Sequence, residues 1–184
     1  MKKENKIGCC GIDCGLCPRF YTIGSSACPG CCGLNFREKH PTCGFVTCCV
    51  NKKGLETCAD CDEFPCSRFD KERHGFDSFV THQKVFSNLN DIKTGGLKFF
   101  IDRQRIRMEL LKDFLARFDD GRSKSFYCLA CALLPIDRLQ DCQQFIHTIT
   151  GSADVKQKSK MLKDRLQQTA NDLNIELSLN NRNK

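Results

Sequence analysis

Cys10, Cys14 and Cys17 stand as C-x3-C-x2-C, Cys28 and Cys31 as C-x2-C, Cys43 and Cys48 five apart, and Cys58, Cys61 and Cys66 as C-x2-C-x4-C. Thirteen of the 16 cysteines fall between Cys9 and Cys66, so a short stretch is held by something besides a hydrophobic core. A C-x2-C turn reverses the chain within four residues and points two thiolates at one centre. Two such turns close a tetrahedral S4 site. The alternative chemistry, disulfide formation, needs an oxidising compartment. The start, Met-Lys-Lys-Glu-Asn-Lys-Ile-Gly, is basic with no apolar stretch behind it, and cysteines begin at Cys9. No apolar run approaches the ~18 residues of a membrane span. The expectation is therefore a cytoplasmic protein, without membrane partners, whose thiols stay reduced and bind metal.

The best-spaced set is Cys14, Cys17, Cys28 and Cys31, two C-x2-C pairs separated by ten residues. A second set draws on Cys43, Cys48, Cys58, Cys61 and Cys66, with Cys10 as a further donor. These are more than four donors, so pairing stays open, and an interleaved arrangement over two metals fits equally. Zinc, about two ions, is the first reading, favoured by the Cys28-Pro29-Gly30-Cys31 turn. Iron–sulfur clusters are the alternative, favoured by Cys10-x3-Cys14-x2-Cys17 and by Pro18 after Cys17. The same C-x3-C-x2-C spacing serves radical S-adenosylmethionine enzymes, but those need a large α/β barrel that this chain lacks room for.

Other candidates have plainer readings. Cys9, Cys32 and Cys49 each adjoin a better-placed cysteine and read as spare donors. Cys128, Cys131 and Cys142 sit at helical spacing among apolar residues and read as core thiols, with a third metal or redox site as the alternative. His40 and His74 are near the cysteines but read as solvated, as do Asp13, Asp60, Asp62 and Glu63. Arg103, Arg105 and Arg107 form no aromatic-interleaved strip, so nucleic acid is not the expected partner. The formal charge of +7 is weaker evidence for nucleic acid than it first appears. Two S4 zinc sites contribute −2 each and bring it to +3. Gly95-Gly96 precedes Leu-Lys, not the Lys-Ser or Lys-Thr of a phosphate loop, and no nucleophile–base motif is present.

The elements that must position these residues divide the 184-residue chain in two. Residues 1–75 are rich in Gly, Pro and Cys and predict an irregular metal-binding module. It has one short helix from Phe45 to Lys53 stopped by Gly54, and too few large apolar residues to be stable without metal. Residues 76–179 predict a helical domain, so the fold class is mainly α with little β. Phe79, Val80, Gln83, Phe86 and Leu89 form one stripe, on a helix from Asp77. Leu97, Phe100, Ile101, Met108, Leu111, Leu115 and Phe118 form the next, ended by Asp119-Asp120-Gly121. Ser123 or Ser125 caps a helix to Leu134, Pro135 opens another bearing Leu139, Cys142, Ile146 and Ile149, and Gly151-Ser152 breaks the chain. A last helix carries Val155, Leu162, Leu166, Ala170 and Leu173. Ile175, Leu177 and Leu179 alternate as in a short strand, and residues 180–184 predict a disordered tail.

The run Cys10-Gly-Ile-Asp-Cys14-Gly-Leu-Cys17-Pro18, then Cys28-Pro-Gly-Cys31, Cys43, Cys48, and Cys58-Ala-Asp-Cys61-Asp-Glu-Phe-Pro-Cys66, resembles the cysteine-rich domain of unknown function 3795. The resemblance covers roughly residues 8–75. Gly121 to Cys128 and Leu133-Leu134-Pro135 are similar to the helical extension of its longer members. It implies a metal- or cluster-binding cysteine domain and leaves activity open. The expected function is thus a cytoplasmic protein with structural or regulatory zinc sites, each held by four cysteines, that acts through contacts with another protein. The alternative is an iron–sulfur protein in electron transfer or redox sensing.

Overall fold

The computed structural model describes residues 2–40, 42–70, 77–149 and 154–180. His74 and the Gly151-Ser152 break lie outside them. The protein is mainly helical, with no strand among the described residues. It forms two compact units, residues 1–103 with 179–184, and residues 104–178.

In the first unit, short 3-10 turns at Cys14–Leu16, Pro18–Tyr21, Cys58–Asp60 and Ser67–Phe69 alternate with loops. A one-turn helix α1 spans Phe36–Lys39. The helix expected over 45–53 is present as a π-helix, Val46–Lys52, with the Lys53 N–H bonding back to the Cys48 carbonyl and Gly54 at φ +67° ending it. The wider π turn puts neighbouring Cys48 and Cys49 at different burial, half-buried and buried.

Helix α2, Val85–Gly95, then Gly96 at φ +87°, then helix α3, Leu97–Phe118, follow. The helix expected from Asp77 starts only at Val85. His82 N–H donates to the Asp77 carboxylate at 2.6 Å, and Thr81 Oγ1 accepts from Gln83 N–H, so these side chains hold the chain in turns and not in a helix. Phe79 and Gln83, expected on the apolar face, are exposed, whereas Val80, Val85, Leu89 and Ile92 are buried.

The expected boundary after residue 75 moves to Arg103, because the cysteine module shares a core with these helices. Ile7 and Phe69 are fully buried with Val85, Leu89, Ile92, Phe100 and Ile101, and Phe45, Phe64 and Phe86 pack around Phe69 at ring separations of 4.8, 5.1 and 5.6 Å. The paucity of apolar residues within 1–75 is thus offset by side chains from α2 and the first turns of α3. The strand expected over Ile175–Leu179 is absent. Asn180 exchanges two bonds with Asp77: its carbonyl accepts from Asp77 N–H at 2.9 Å, and its N–H donates to the Asp77 carboxylate at 2.8 Å.

The second unit comprises the rest of α3 with α4 (Lys124–Leu133), α5 (Ile136–Ile149) and α6 (Val155–Asp172). Leu111, Phe114, Tyr127, Leu134, Leu139, Ile146, Leu162 and Leu166 fill its core. Leu162, Leu166 and Ala170 follow the expected stripe, while Val155 at its start is about half exposed. Asp154 and Gln157 form a capping box at the start of α6. Ser123 occupies the N-cap position of α4 without a capping bond. Its hydroxyl donates to Asp120 at 2.7 Å and meets Ser159 at 2.8 Å. Arg107 does not behave as a solvated arginine. Its Nη1 donates to the Cys131 and Leu134 carbonyls at 2.6 Å each, satisfying the end of α4. Cys128, Cys131 and Cys142 are buried, and Cys142 Sγ meets Thr169 Oγ1 at 3.3 Å, as expected of core thiols.

Candidate metal centre

All 16 cysteines are free thiols. The segments that carry the first 13 are tied together by their backbones. Cys31 N–H donates to the Asn5 carbonyl, Gly15 N–H to the Lys6 carbonyl and Cys58 N–H to the Cys9 carbonyl, at 2.7–2.9 Å. Helix α2 holds the first cysteine loop from below. Asn88 Nδ2 donates to the Gly11 carbonyl at 2.9 Å and to the Asp13 carboxylate at 3.0 Å. Gly11 has φ +92°, and a Cβ there would lie 2.6 Å from the Val85 carbonyl oxygen, so only glycine lets the loop seat on α2. Asp13, expected to be solvated, is buried for this reason. Asp60, Asp62 and Glu63 are exposed, as expected.

The ten expected ligands divide between two cavities. A wide one of about 380 Å³ is lined by Cys10, Cys14, Cys17, Cys28, Cys31 and Cys43, with Cys9, His40 and His82 at its wall. A narrow one of about 20 Å³ is lined by Cys48, Cys58, Cys61 and Cys66, with Cys49. The best-spaced set, Cys14, Cys17, Cys28 and Cys31, therefore shares one cavity. Cys43, expected with the second set, stands with the first. His40 stacks on Phe36 at 4.6 Å while lining the wide cavity, so it is more than a solvated loop residue.

Cations flank the thiols. Lys53 Nζ donates to Cys61 Sγ at 3.3 Å and to Glu63 at 2.8 Å, which holds its ammonium above the usual lysine range. Arg68 lines the narrow cavity and Arg19 and Lys39 the wide one. Lys2 is the least expected of them. Its side chain is fully buried, its Nζ donates to the Glu56 carbonyl at 3.1 Å, and it pairs with the Glu56 carboxylate at 3.6 Å. Partial burial acts to raise the Glu56 pKa, but the N–H groups of Glu4 and Lys3 and the Lys2 ammonium outweigh it, and the net shift is downward.

The thiols also touch one another. Cys31 Sγ meets Cys32 Sγ at 4.0 Å and accepts from Cys9 N–H at 3.5 Å, and Cys49 Sγ donates to the Leu55 carbonyl at 3.7 Å. Donation from Cys9 and Cys58 pulls Cys31 and Cys49 below the ordinary thiol range, with the Lys2 charge adding to the effect, and leaves Cys9 and Cys58 above it. Burial raises Cys14 and Cys17.

The donor set suits a soft or borderline metal, since it is dense in sulfur, reduced and ringed by cations that offset thiolate charge. Its positions are not those of a closed shell. Among the described residues, no three His, Cys, Asp or Glu side chains surround one point closely enough to hold an ion. Sequence reasoning missed three features: Lys2, Asn88, and the deep burial of Cys9 and Cys49. Cysteine spacing carries no signal for the first two. The twin pairs Cys9-Cys10 and Cys48-Cys49 were visible but ambiguous. Comparison with protein-family models, curated proteins and solved structures finds no match to this chain.

Proposed function

We propose that the first unit is a thiolate metal module. It binds about two zinc ions, each through four thiolates drawn from the ten cysteines of the two cavities, and acts as a structural or regulatory element through contacts with another protein. The observation that supports this reading is the sorting of Cys10, Cys14, Cys17, Cys28, Cys31 and Cys43 into one cavity and Cys48, Cys58, Cys61 and Cys66 into another. Each group supplies at least the four donors that a structural zinc takes. Bound there, zinc would supply cross-links between segments that share few apolar side chains. The residues do the rest: Asn88 fixes the Cys10–Cys14 loop, and Lys2, Arg19, Lys53 and Arg68 offset the net −2 of each zinc–tetrathiolate. The proposal includes membership of the domain family that the cysteine pattern resembles and a cytoplasmic location, where such thiols stay reduced.

A second reading is an iron–sulfur protein in electron transfer or redox sensing. The volume of the wide cavity favours it, since about 380 Å³ exceeds the room one ion needs and six thiols line it. Anaerobic purification followed by metal analysis and visible absorption tests both. Colourless protein with about two zinc per chain supports the first reading. Broad absorption toward the blue, with iron and sulfide, supports the second. Less than one metal per chain after anaerobic reconstitution with either would overturn both.

A further inference from the structure

Cys31 and Cys32 are neighbours in the chain and touch through their sulfurs, whose Sγ atoms lie 4.0 Å apart. Side chains of adjacent residues in extended backbone point to opposite faces, so such a contact needs a turn. Here Gly33 N–H donates to the Gly30 carbonyl at 3.2 Å, which puts Cys31 and Cys32 at the two central positions of a β-turn. Cys32 stands at φ +60°, in the left-handed region that a residue with a Cβ rarely adopts and that glycine takes freely. The flanks fix the turn. Cys31 N–H donates to the Asn5 carbonyl at 2.9 Å, Asn5 Nδ2 to the Pro29 carbonyl at 2.7 Å, and Cys9 N–H to Cys31 Sγ at 3.5 Å. A Cβ on Gly30 or Gly33 would overlap the Asn5 or Pro29 carbonyl oxygen. The two sulfurs differ in access. Cys31 is 6 % exposed and lines the wide cavity, whereas Cys32 is half-buried and lines a neighbouring open groove of about 710 Å³ with Arg37, Thr42 and Asn51. Cys32 belongs to neither cavity group of thiols.

We propose that Cys31 and Cys32 form a redox-active dithiol, a modification site that exchanges with low-molecular-weight disulfides. Cys32 is the sulfur such a reagent reaches, and the groove beside it falls within the ~300–1,000 Å³ of small-molecule sites. The Cys32 thiolate attacks one sulfur of the reagent, a mixed disulfide forms, and the first reagent thiol leaves with the proton that Cys32 gave up. Cys31 then attacks the Cys32 sulfur, the mixed disulfide breaks, and the second reagent thiol leaves with the Cys31 proton. The two cysteines lose two electrons and two protons, and the reagent disulfide gains them as two thiols. The Cα atoms of adjacent residues are about 3.8 Å apart across a trans peptide, below the ~4.4–6.8 Å that disulfides favour, so the bridge is strained and readily reduced again. The pair therefore suits a reversible modification and not a structural cross-link. The inference goes beyond the metal reading. The bridge withdraws Cys31 from the six thiols of the first cavity group and leaves five, still enough for a four-thiolate site.

The reduced full-length chain, incubated anaerobically with oxidised glutathione, alkylated under denaturing conditions and digested, tests it by peptide fragment mass. Burial and the neighbouring Cys31 raise the Cys32 thiol to about 11, so the exchange is followed in mildly alkaline buffer. The expected result is a fragment spanning Cys31 and Cys32 that is two hydrogens lighter than its reduced form and carries no alkyl group. Excess reduced glutathione should return it to the doubly alkylated form. Cys31→Ser should accumulate glutathione on Cys32, since no neighbouring thiol displaces it, and Cys32→Ser should leave Cys31 free of glutathione. A doubly alkylated pair in the parent chain after other cysteines have oxidised, or either sulfur bridged to another cysteine, would overturn the inference. Zinc analysis of the same sample keeps the two proposals apart. About two zinc per chain with a free pair overturns only this inference, and a bridged pair in a chain that takes up no metal overturns only the metal reading.

Discussion

At the scale of single residues, the two cysteine populations should respond differently to substitution. Cys14→Ser and Cys61→Ser each remove a thiolate from a cavity group and should lower bound metal, measured by elemental analysis of purified protein. Cys142→Ala should leave metal unchanged and cost about 1 kcal/mol in unfolding free energy, since it removes a small buried side chain beside Thr169. Metal loss in that variant would show a ligand misread as core. Lys2→Met keeps most of the side chain's volume but removes the charge near Cys31 and Cys49. The thiols would then ionise less readily, so metal affinity should fall, and fall more at pH 6 than at pH 8, because proton competition is stronger at low pH. Equal affinity of Lys2→Met and the parent across that range, by competition with a chromophoric chelator, would remove the electrostatic role.

At the scale of elements, α2 is the base on which the first cysteine loop rests. Asn88→Ala removes one donor from the buried Asp13 carboxylate, which costs about 1–3 kcal/mol. The expected readouts are earlier unfolding of the first unit and faster release of metal to a chelator. Release at the parent rate would mean that the loop is held by other contacts. In the second unit, the turn between α3 and α4 carries a pH dependence. The Ser123 hydroxyl and the Arg122 N–H hold the Asp120 carboxyl below its usual range. A folded pKa below the unfolded one contributes stability that is present above the unfolded carboxylate range and is lost as pH falls through the folded value. The protection factors of amides in α4 and α6, taken relative to intrinsic exchange at each pH, should therefore fall from pH 5 to pH 3, and Asp120→Asn should flatten that part of the profile. An unchanged slope in the variant would assign the acid sensitivity to other carboxylates.

At the scale of the whole molecule, the two units differ in what holds them. Residues 104–178 have a core of leucines, phenylalanines and Tyr127, closed by the Ser123–Tyr127–Ser159 hydrogen bonds and by Arg107 on the end of α4. The first unit combines a smaller aromatic core around Phe69 with a thiol-rich half. Chelation should accordingly expose residues 8–66 to protease while α4, α5 and α6 keep their amide protection. The core shared with α2 makes this a loosening of the cysteine loops and not a collapse of the unit, so α2 should lose protection only in part. Uniform protection of the cysteine loops with and without metal would refute a metal contribution to the fold.

Much of the architecture was legible because it rests on local periodicity. The stripe of Leu97, Phe100, Ile101, Met108, Leu111 and Phe118, the stop at Gly121, the opening at Pro135 and the stripe of Leu162, Leu166 and Ala170 all depend on a 3.6-residue repeat and its punctuation. Cysteine spacing likewise picked out the cysteines that line the two cavities, since C-x2-C turns are local. Where sequence reasoning failed, side chains or distant segments competed with local propensity. Residues 77–84 have helical apolar spacing, yet Asp77 and Thr81 hold their backbone in turns. Ile175 to Leu179 alternate, yet no partner strand lies beside them among the described residues. The core under the cysteines was invisible because half of it comes from residues 85–101, which the composition shift at 75 assigned elsewhere. Local pattern was enough to specify the helices and the thiol-rich chemistry. Which cysteines meet is a matter of the folded chain, since the Cys9 N–H reaches Cys31 Sγ across 22 residues and the Cys58 N–H reaches the Cys9 carbonyl across 49, and no local pattern encodes contacts made at that range.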